Sequence, residues 1–233
     1  MKITLAGGQT AELLADRAVW LAESASLLIA DLHLGKAQSF RSQAIPVPGG
    51  TTGALLARLD RLLIANTARE LIILGDFIHD ARSDDAGALS RFTAWLSKRP
   101  DLAVHVVPGN HDRKARSLLK ASGIHLHEGG LARAGVALLH EPDGARQSFA
   151  IAGHLHPVAV LNTRLERVRL PCFWLRARSL VIPAFGEFTG GFAVKPEAGE
   201  RLFVADGERV HEVRGTERRD WCAAAAGRPR GST

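Results

Sequence analysis

Five short clusters of oxygen- and nitrogen-bearing side chains, each following an apolar run, constrain this chain more than any other feature. They are Asp31-Leu32-His33, Gly75-Asp76-Phe77-Ile78-His79, Gly109-Asn110-His111-Asp112, the isolated His140, and Gly153-His154-Leu155-His156. Runs such as Leu71-Ile72-Ile73-Leu74 and Val104-His105-Val106-Val107 are short and aliphatic, so they read as buried strands. In open α/β sheets, functional groups collect beyond the carboxyl ends of strands. Four of the five clusters sit at such ends by this reading, and Gly75 and Gly109 let the backbone bend sharply at two of them. The chain therefore has to lay several strands side by side with their ends meeting at one edge.

The intervening segments fit that requirement. Residues 18–31 read as two short strands with a turn at Glu23-Ser24-Ala25. Residues 34–50 read as irregular and end in Pro46-Val47-Pro48-Gly49-Gly50. Thr51 or Thr52 can cap a helix to about Asn66, with Leu55, Leu56, Leu59, Leu62 and Leu63 at helical spacing. Asp84 or Asp85 precedes a second helix that reaches about Lys98 and is closed by Pro100, and a short basic helix covers Arg113 to Ala121. From residue 124 to 204 the pattern changes to short strands between Gly, Pro and Asp turns, including 136–140, 149–152, 180–183 and 191–194. A β-α-β-α-β half followed by a mostly β half predicts two packed sheets with helices outside. Residues 1–214 are expected to form a single domain. Residues 215–233 are polar, rich in Ala, Gly and Arg and aperiodic, and are expected to be a disordered tail.

Composition limits the function classes. The 30 Lys and Arg against 24 Asp and Glu give a net charge of +6, and the isoelectric point is about 10.0. Such a balance favours polyanions, nucleic acid first, although an Arg- and Ala-rich chain also arises from genomic base bias. No helix-turn-helix, zinc finger or comparable module is present, so sequence-specific DNA binding is not expected. No apolar run approaches the roughly 18 residues that span a bilayer. The start, Met1 to Gln9, lacks the charged and apolar regions of a signal peptide, so a cytoplasmic protein without membrane association is expected. Cys172 and Cys222 suggest no disulfide framework.

Carboxylate, imidazole and amide oxygen together suit divalent manganese, iron, zinc or cobalt. The absence of cysteine from the clusters argues against a structural zinc site. Asp31 and His33, two apart on an extended segment, are expected to present both side chains to one face, and His154 and His156 repeat the arrangement. Asp76, in the middle of the set, can bridge two ions. Two ions about 3.5–4 Å apart clamp a phosphate and lower the pKa of a bound water towards ~7, so that hydroxide attacks phosphorus in line. His105, His125, His127 and His211 read as surface or strand residues. Lys36, Arg41 and Arg113 adjoin the clusters and either grip phosphates or are solvated charge. Phe77 and Phe185 either stack on a base or fill the core, with core packing the stronger reading.

The motif series D-x-H, G-D, G-N-H-D, H and G-H-x-H, over about residues 26–156, resembles that of the calcineurin-like metallophosphoesterase superfamily. Asp31-Leu32-His33-Leu34-Gly35-Lys36, Ser39-Phe40-Arg41, Ile45-Pro46-Val47-Pro48, Gly75 to His79, Ile182-Pro183-Ala184-Phe185 and Thr189-Gly190-Gly191 are similar to its DNA ligase-associated branch. That branch comprises DNA-damage-response endonucleases or phosphodiesterases acting beside a DNA ligase and a helicase. The resemblance implies a four-layer α/β/β/α sandwich, with two mixed β-sheets flanked by helices. It implies two divalent metal ions, manganese first, and DNA or another phosphodiester as substrate. It implies that Asp31, His33 and His156 hold one ion, that Asn110, His140 and His154 hold the other, and that Asp76 bridges them. His111 would serve the leaving oxygen as general acid or stabilise the transition state. Asp112 would orient His111, and His79 would contact the substrate phosphate. One departure is Glu141, which follows His140 where the superfamily usually has glycine. A small-molecule phosphoesterase, acting on nucleotides, cyclic nucleotides or phosphomonoesters, would use the same site. A non-catalytic repair scaffold is disfavoured because His111 and the whole donor set are present. The sequence defines no oligomeric state.

Overall fold

The computed structural model describes residues 1–79, 85–144, 148–162 and 166–213, and their strands assemble into two mixed sheets. The first holds β1 (Lys2–Thr4), β2 (Thr10–Leu14), β3 (Ala18–Leu21), β4 (Ser26–Ala30), β5 (Glu70–Leu74), β6 (Ala103–Val107) and β7 (His125–Leu126), adjacent in that order. From β1 to β4 the strands run antiparallel, and from β4 to β7 they run parallel. Parallel neighbours need crossover connections. Here these are α1 (Lys36–Ser42) with α2 (Thr51–Ala65), then α3 (Asp85–Leu96), then α4 (Arg116–Ala121).

The second sheet holds β8 (Leu131–Arg133), β9 (Val136–Leu139), β10 (Ala150–Ala152), β11 (Pro157–Asn162), β12 (Arg167–Leu175), β13 (Ser179–Val181) and β14 (Phe192–Ala193). Their order across the sheet is β14-β11-β12-β13-β10-β9-β8. A further pair, β15 (Arg201–Ala205) and β16 (Val210–Val213), hangs from β12. Strands β9, β10 and β13 are parallel, so this sheet too delivers several strand ends to one side.

Side chains alternate between the faces of a strand, so central strands packed on both sides must be apolar throughout. Leu27, Ile29, Leu71, Ile73, Val104 and Val106 face the helices and meet Leu56, Leu59, Leu62 and Leu63 of α2 with Phe92 and Trp95 of α3. The intervening residues Leu28, Ala30, Ile72, Leu74 and Val107 face the second sheet and meet Val136, Leu138, Ile151, Phe173, Leu180, Ile182 and Phe203.

The two mixed sheets and their helical cover are as the sequence implies, with local differences. Among the described residues the α-helices all precede Ser122. The face of β12 and β15 that carries Cys172, Leu202 and Val204 packs with Ala159 and Val194 rather than under a helix. Helix α2 is not capped by Thr51 or Thr52. Its N-cap is Gly50, in left-handed backbone at φ 77° with no side-chain bond to the helix. Residues 34–50 contain α1, a single short helix. The basic segment after Asn110 begins with a 3₁₀ turn, His111–Lys114, before α4. Asp84 and the tail at 215–233 lie outside the described residues. No helix among the described residues is long and apolar enough to cross a membrane.

Candidate metal centre

The ends of β4, β5, β6, β9 and β10 release Asp31, Asp76, Asn110, His140 and His154 within a few residues of Ala30, Leu74, Val107, Leu139 and Ala152. The sheets are stitched together here, since Ala30 forms a bridge with Ala184 and its carbonyl accepts the Phe185 N–H at 2.8 Å. Alternation along an extended strand does not explain how the side chains converge. Asp31 (φ 50°), His33 (44°), Asp76 (42°), His154 (72°) and His156 (46°) all have left-handed backbone. That region is uncommon for residues other than glycine and concentrates at functional sites. Backbone bonds hold these turns: Asp31 N–H to the Gly75 carbonyl at 3.2 Å and His33 N–H to the Asp76 carbonyl at 2.8 Å. The carboxylates add to this, because Asp31 Oδ2 accepts the His154 N–H at 2.8 Å and Asp76 Oδ1 accepts the His111 N–H at 3.0 Å.

One ligand atom from each of Asp31, His33, Asp76 and His156 lies within 4.8 Å of the others. His33 Nε2 is 3.4 Å from His156 Nε2 and 3.7 Å from Asp76 Oδ2, and His156 Nε2 is 3.5 Å from Asp31 Oδ2. A second grouping is centred on His140, whose Nε2 is 3.0 Å from His154 Nδ1 and 3.9 Å from Asp76 Oδ1. The two oxygens of Asp76 therefore face different histidine groups. His154 and His156 also part company, each joining one group. Asn110 is exposed at the rim, and its Oδ1 accepts a bond from Arg113 at 3.2 Å. Gly75, at φ +83°, and Gly109 are two positions where a side chain could not be accommodated. A Cβ would collide with the His140 imidazole at the first and with the Asp76 carboxylate at the second.

Asp31 Oδ1, His33 Nδ1 and His140 Nδ1 are buried with no hydrogen-bond partner. Buried polar atoms are almost always paired, so a cluster of orphans calls for an explanation. Divalent cations fit: the donors are hard oxygens and borderline nitrogens, and they face one another across 3.4–3.9 Å. Burial pushes the His33 imidazole down to about 2, reinforced by the positive charge of Lys36, so His33 is neutral and its lone pair is free for a metal. Burial also raises the Asp31 carboxyl above its ordinary range. For His156, burial disfavours the charged form, but the hydrogen bond and charge of Asp31 outweigh it and raise its pKa.

His79 and His111 form a third grouping with His33, ligand atoms again within 4.8 Å. Their rings stack on each other at 5.7 Å. His111 Nδ1 meets the His79 carbonyl oxygen at 2.9 Å. Asp112, expected to orient His111, is fully buried and accepts three backbone bonds instead, from the N–H groups of Phe77, Ile78 and Gly109 at 2.9–3.1 Å. Burial raises its pKa, with those three donors opposing.

The remaining sequence candidates separate clearly. Lys36 is half-buried in a groove beside His33, where burial lowers its pKa against the charge of Asp76. Arg41 ties its own loop by donating to the Pro48 carbonyl at 2.9 Å. Phe77 and Phe185 are fully buried core residues. His105 pairs with His127 at 2.9 Å and stacks on His125 at 5.1 Å, and His211 meets Asp206 at 2.9 Å. The sequence reading missed Phe188, which is exposed and lines the groove that holds His33 and Lys36. It also missed the Thr189 carbonyl, which meets His156 Nδ1 at 3.1 Å. The adjoining Thr189-Gly190-Gly191 was the signal available, as a motif with no role attached to its neighbour.

The sequence model of the calcineurin-like phosphoesterase family matches residues 26–174, a span containing every donor described above. The crystal structure of Pseudomonas putida nuclease MPE aligns with a TM-score of 0.78 and 38% identity, covering 91% of this chain and 99% of that one. Yfce, a phosphoesterase from E. coli, aligns over 81% of this chain and 97% of its own, at 14% identity and a TM-score of 0.44. No curated protein matches the chain. With a donor set suited to divalent metal and a family match over most of its length, the chain belongs to the calcineurin-like phosphoesterase family and is a metal-dependent phosphoesterase.

Proposed function

We propose that this chain is a binuclear phosphodiesterase that cuts DNA as an endonuclease in repair. The observation that carries the binuclear reading is Asp76, whose two carboxylate oxygens address separate histidine groups. Similarity to a nuclease at 38% identity over 91% of the chain supports a polynucleotide substrate, and so does the net charge of +6.

Asp31, His33 and His156, with one oxygen of Asp76, would hold the first ion. His140, His154 and Asn110, with the other oxygen, would hold the second. Divalent ions bound there would supply Lewis acidity towards the phosphate and the attacking water. The oxygen and nitrogen donors suit manganese, iron, zinc and cobalt alike, and manganese is put first on the resemblance to the ligase-associated branch. A carbonyl only accepts hydrogen bonds, so the contact with His79 puts a proton on His111 Nδ1 and leaves Nε2 for the substrate. Carrying a second proton on Nε2, His111 would give it to the leaving oxygen and return to the neutral Nδ1–H form, or would donate it as a hydrogen bond to charge developing on the phosphate. Asp112 serves one step back, holding the loops that carry Asp76 and Asn110. His79 contacts the phosphate beside His111, and Lys36 and Arg113 meet backbone phosphates at the rim. The motifs shared with the ligase-associated branch support a role beside a DNA ligase and a helicase.

Manganese-loaded protein incubated with circular single-stranded DNA tests this reading. Linear product followed by fragments is expected, and His111→Ala should slow it by about 100-fold or more. Intact circles alongside hydrolysis of nucleotides or phosphomonoesters would replace it with the small-molecule reading.

A further inference from the structure

We infer that Phe188 is a stacking platform for an unpaired nucleobase next to the scissile phosphate, so that the enzyme grips unstacked, single-stranded DNA through a base as well as through its phosphates. This rests on the diesterase reading above and goes beyond it by naming the part of the substrate that is recognised.

Most phenylalanines of the described chain are interior. Phe77, Phe92, Phe173, Phe185 and Phe203 are fully buried, whereas Phe188 is 39% exposed and Phe192 is 57% exposed. Both exposed rings flank Thr189, whose carbonyl meets His156, so they are carried by the segment that shapes the metal centre. Phe188 lines one continuous groove with His33 and Lys36. A strand whose phosphate lies at His33 and that follows this groove would meet both Lys36 and Phe188.

The ring is held for that role. Phe188 sits at φ 61°, a conformation that a bulky residue adopts only when its surroundings impose it. Phe40 of α1 and Phe188 form a T-shaped pair at 6.2 Å, and Lys36 Nζ stands 5.9 Å from the Phe40 ring. A ring braced by an aromatic neighbour and still 39% exposed offers what a base needs, because every base has a π-face. The one carboxylate lining the groove, Glu187, acts electrostatically on Arg17 and Arg58, which temper its repulsion of phosphate. A flat aromatic beside a cation and a phosphate-cleaving centre is complementary to a nucleotide. An apolar protein surface would need no cation there.

The test measures binding, by fluorescence anisotropy, of oligothymidylate and of an abasic oligomer of the same length. It is run with and without manganese, and strand integrity is checked on a gel. Wild type should bind the base-bearing strand about tenfold more tightly, the size of one base–aromatic contact. Phe188→Ala should reduce that preference to within about twofold of none, and Phe188→Trp should restore it. Equal affinity of the wild type for both strands would overturn the inference, and so would an undiminished preference in Phe188→Ala with a wild-type melting temperature. If Phe188→Ala melts early, Phe188→Leu takes its place, since it keeps apolar bulk without a ring face and the same outcomes apply. Hydrolysis of bis-p-nitrophenyl phosphate by the metal-loaded wild type tests the earlier reading separately. Turnover without base preference sinks only the stacking site, and base preference without turnover sinks only the diesterase.

Discussion

Asp112 shows how a residue beside the chemistry does its work through the backbone. Both its oxygens are committed to the N–H groups of Phe77, Ile78 and Gly109, and it is fully buried. Asp112→Ala would strand three buried donors and should destabilise the protein by about 3 kcal/mol, read as a lower urea midpoint. An unchanged midpoint with slowed hydrolysis would instead return Asp112 to the role of a partner for His111. His156 yields a pH prediction. Its pKa is raised in the metal-free chain, chiefly because Asp31 overcomes the penalty of burial. A metal has to displace that proton, so affinity should fall as the pH is lowered, beginning above the ordinary imidazole value of about 6.5. Calorimetry in buffers of different ionisation enthalpy should show proton release on binding at neutral pH. Binding without proton release would contradict the assignment of His156. The identities of the donors were legible in the sequence because donor chemistry belongs to residue type and order. The left-handed turns at Asp31, His33 and Asp76 were not, because a motif string carries no backbone rotation.

At the scale of elements, the site depends on strand ends approaching across two sheets. Gly153, just after β10, marks one such close approach. A Cβ there would lie 2.6 Å from the Ala30 Cβ, 2.7 Å from Asp31 Oδ2 and 2.8 Å from the Leu74 carbonyl oxygen. Gly153→Ala should therefore cost about 1–3 kcal/mol through overpacking. It should also weaken metal binding about tenfold or more by displacing Asp31, an effect comparable to losing a supporting contact. Gly53, in α2, has nothing within 4 Å of such a Cβ, and Gly53→Ala should stabilise by about 0.5–1 kcal/mol. Thermal melts and metal titrations of the two variants should move in opposite directions in stability, with only Gly153→Ala losing affinity. Helix α2 and strands β4, β5 and β6 were legible because their apolar residues repeat at helical spacing or run without interruption. Helix α1 was not, since it spans only seven residues and buries just Ala37 and Ser39. The pairs β1 with β2 and β15 with β16 were missed as well, because the exposed and half-buried positions of β1, β2 and β16 blur the pattern.

At the scale of the molecule, the two sheets form a scaffold that brings carboxylates and imidazoles close enough to leave several of them unpaired. Metal bound by the facing donors should favour the folded chain, which should gain stability in proportion to the logarithm of free metal. The central claim is that two ions held across Asp76 make the active enzyme. Titrating metal-free protein with manganese while following both heat of binding and hydrolysis of bis-p-nitrophenyl phosphate tests it most directly. Two equivalents per chain are expected, with turnover appearing as the second is bound and absent from Asp76→Ala. Full turnover at one equivalent, or in the presence of excess chelator, would contradict it.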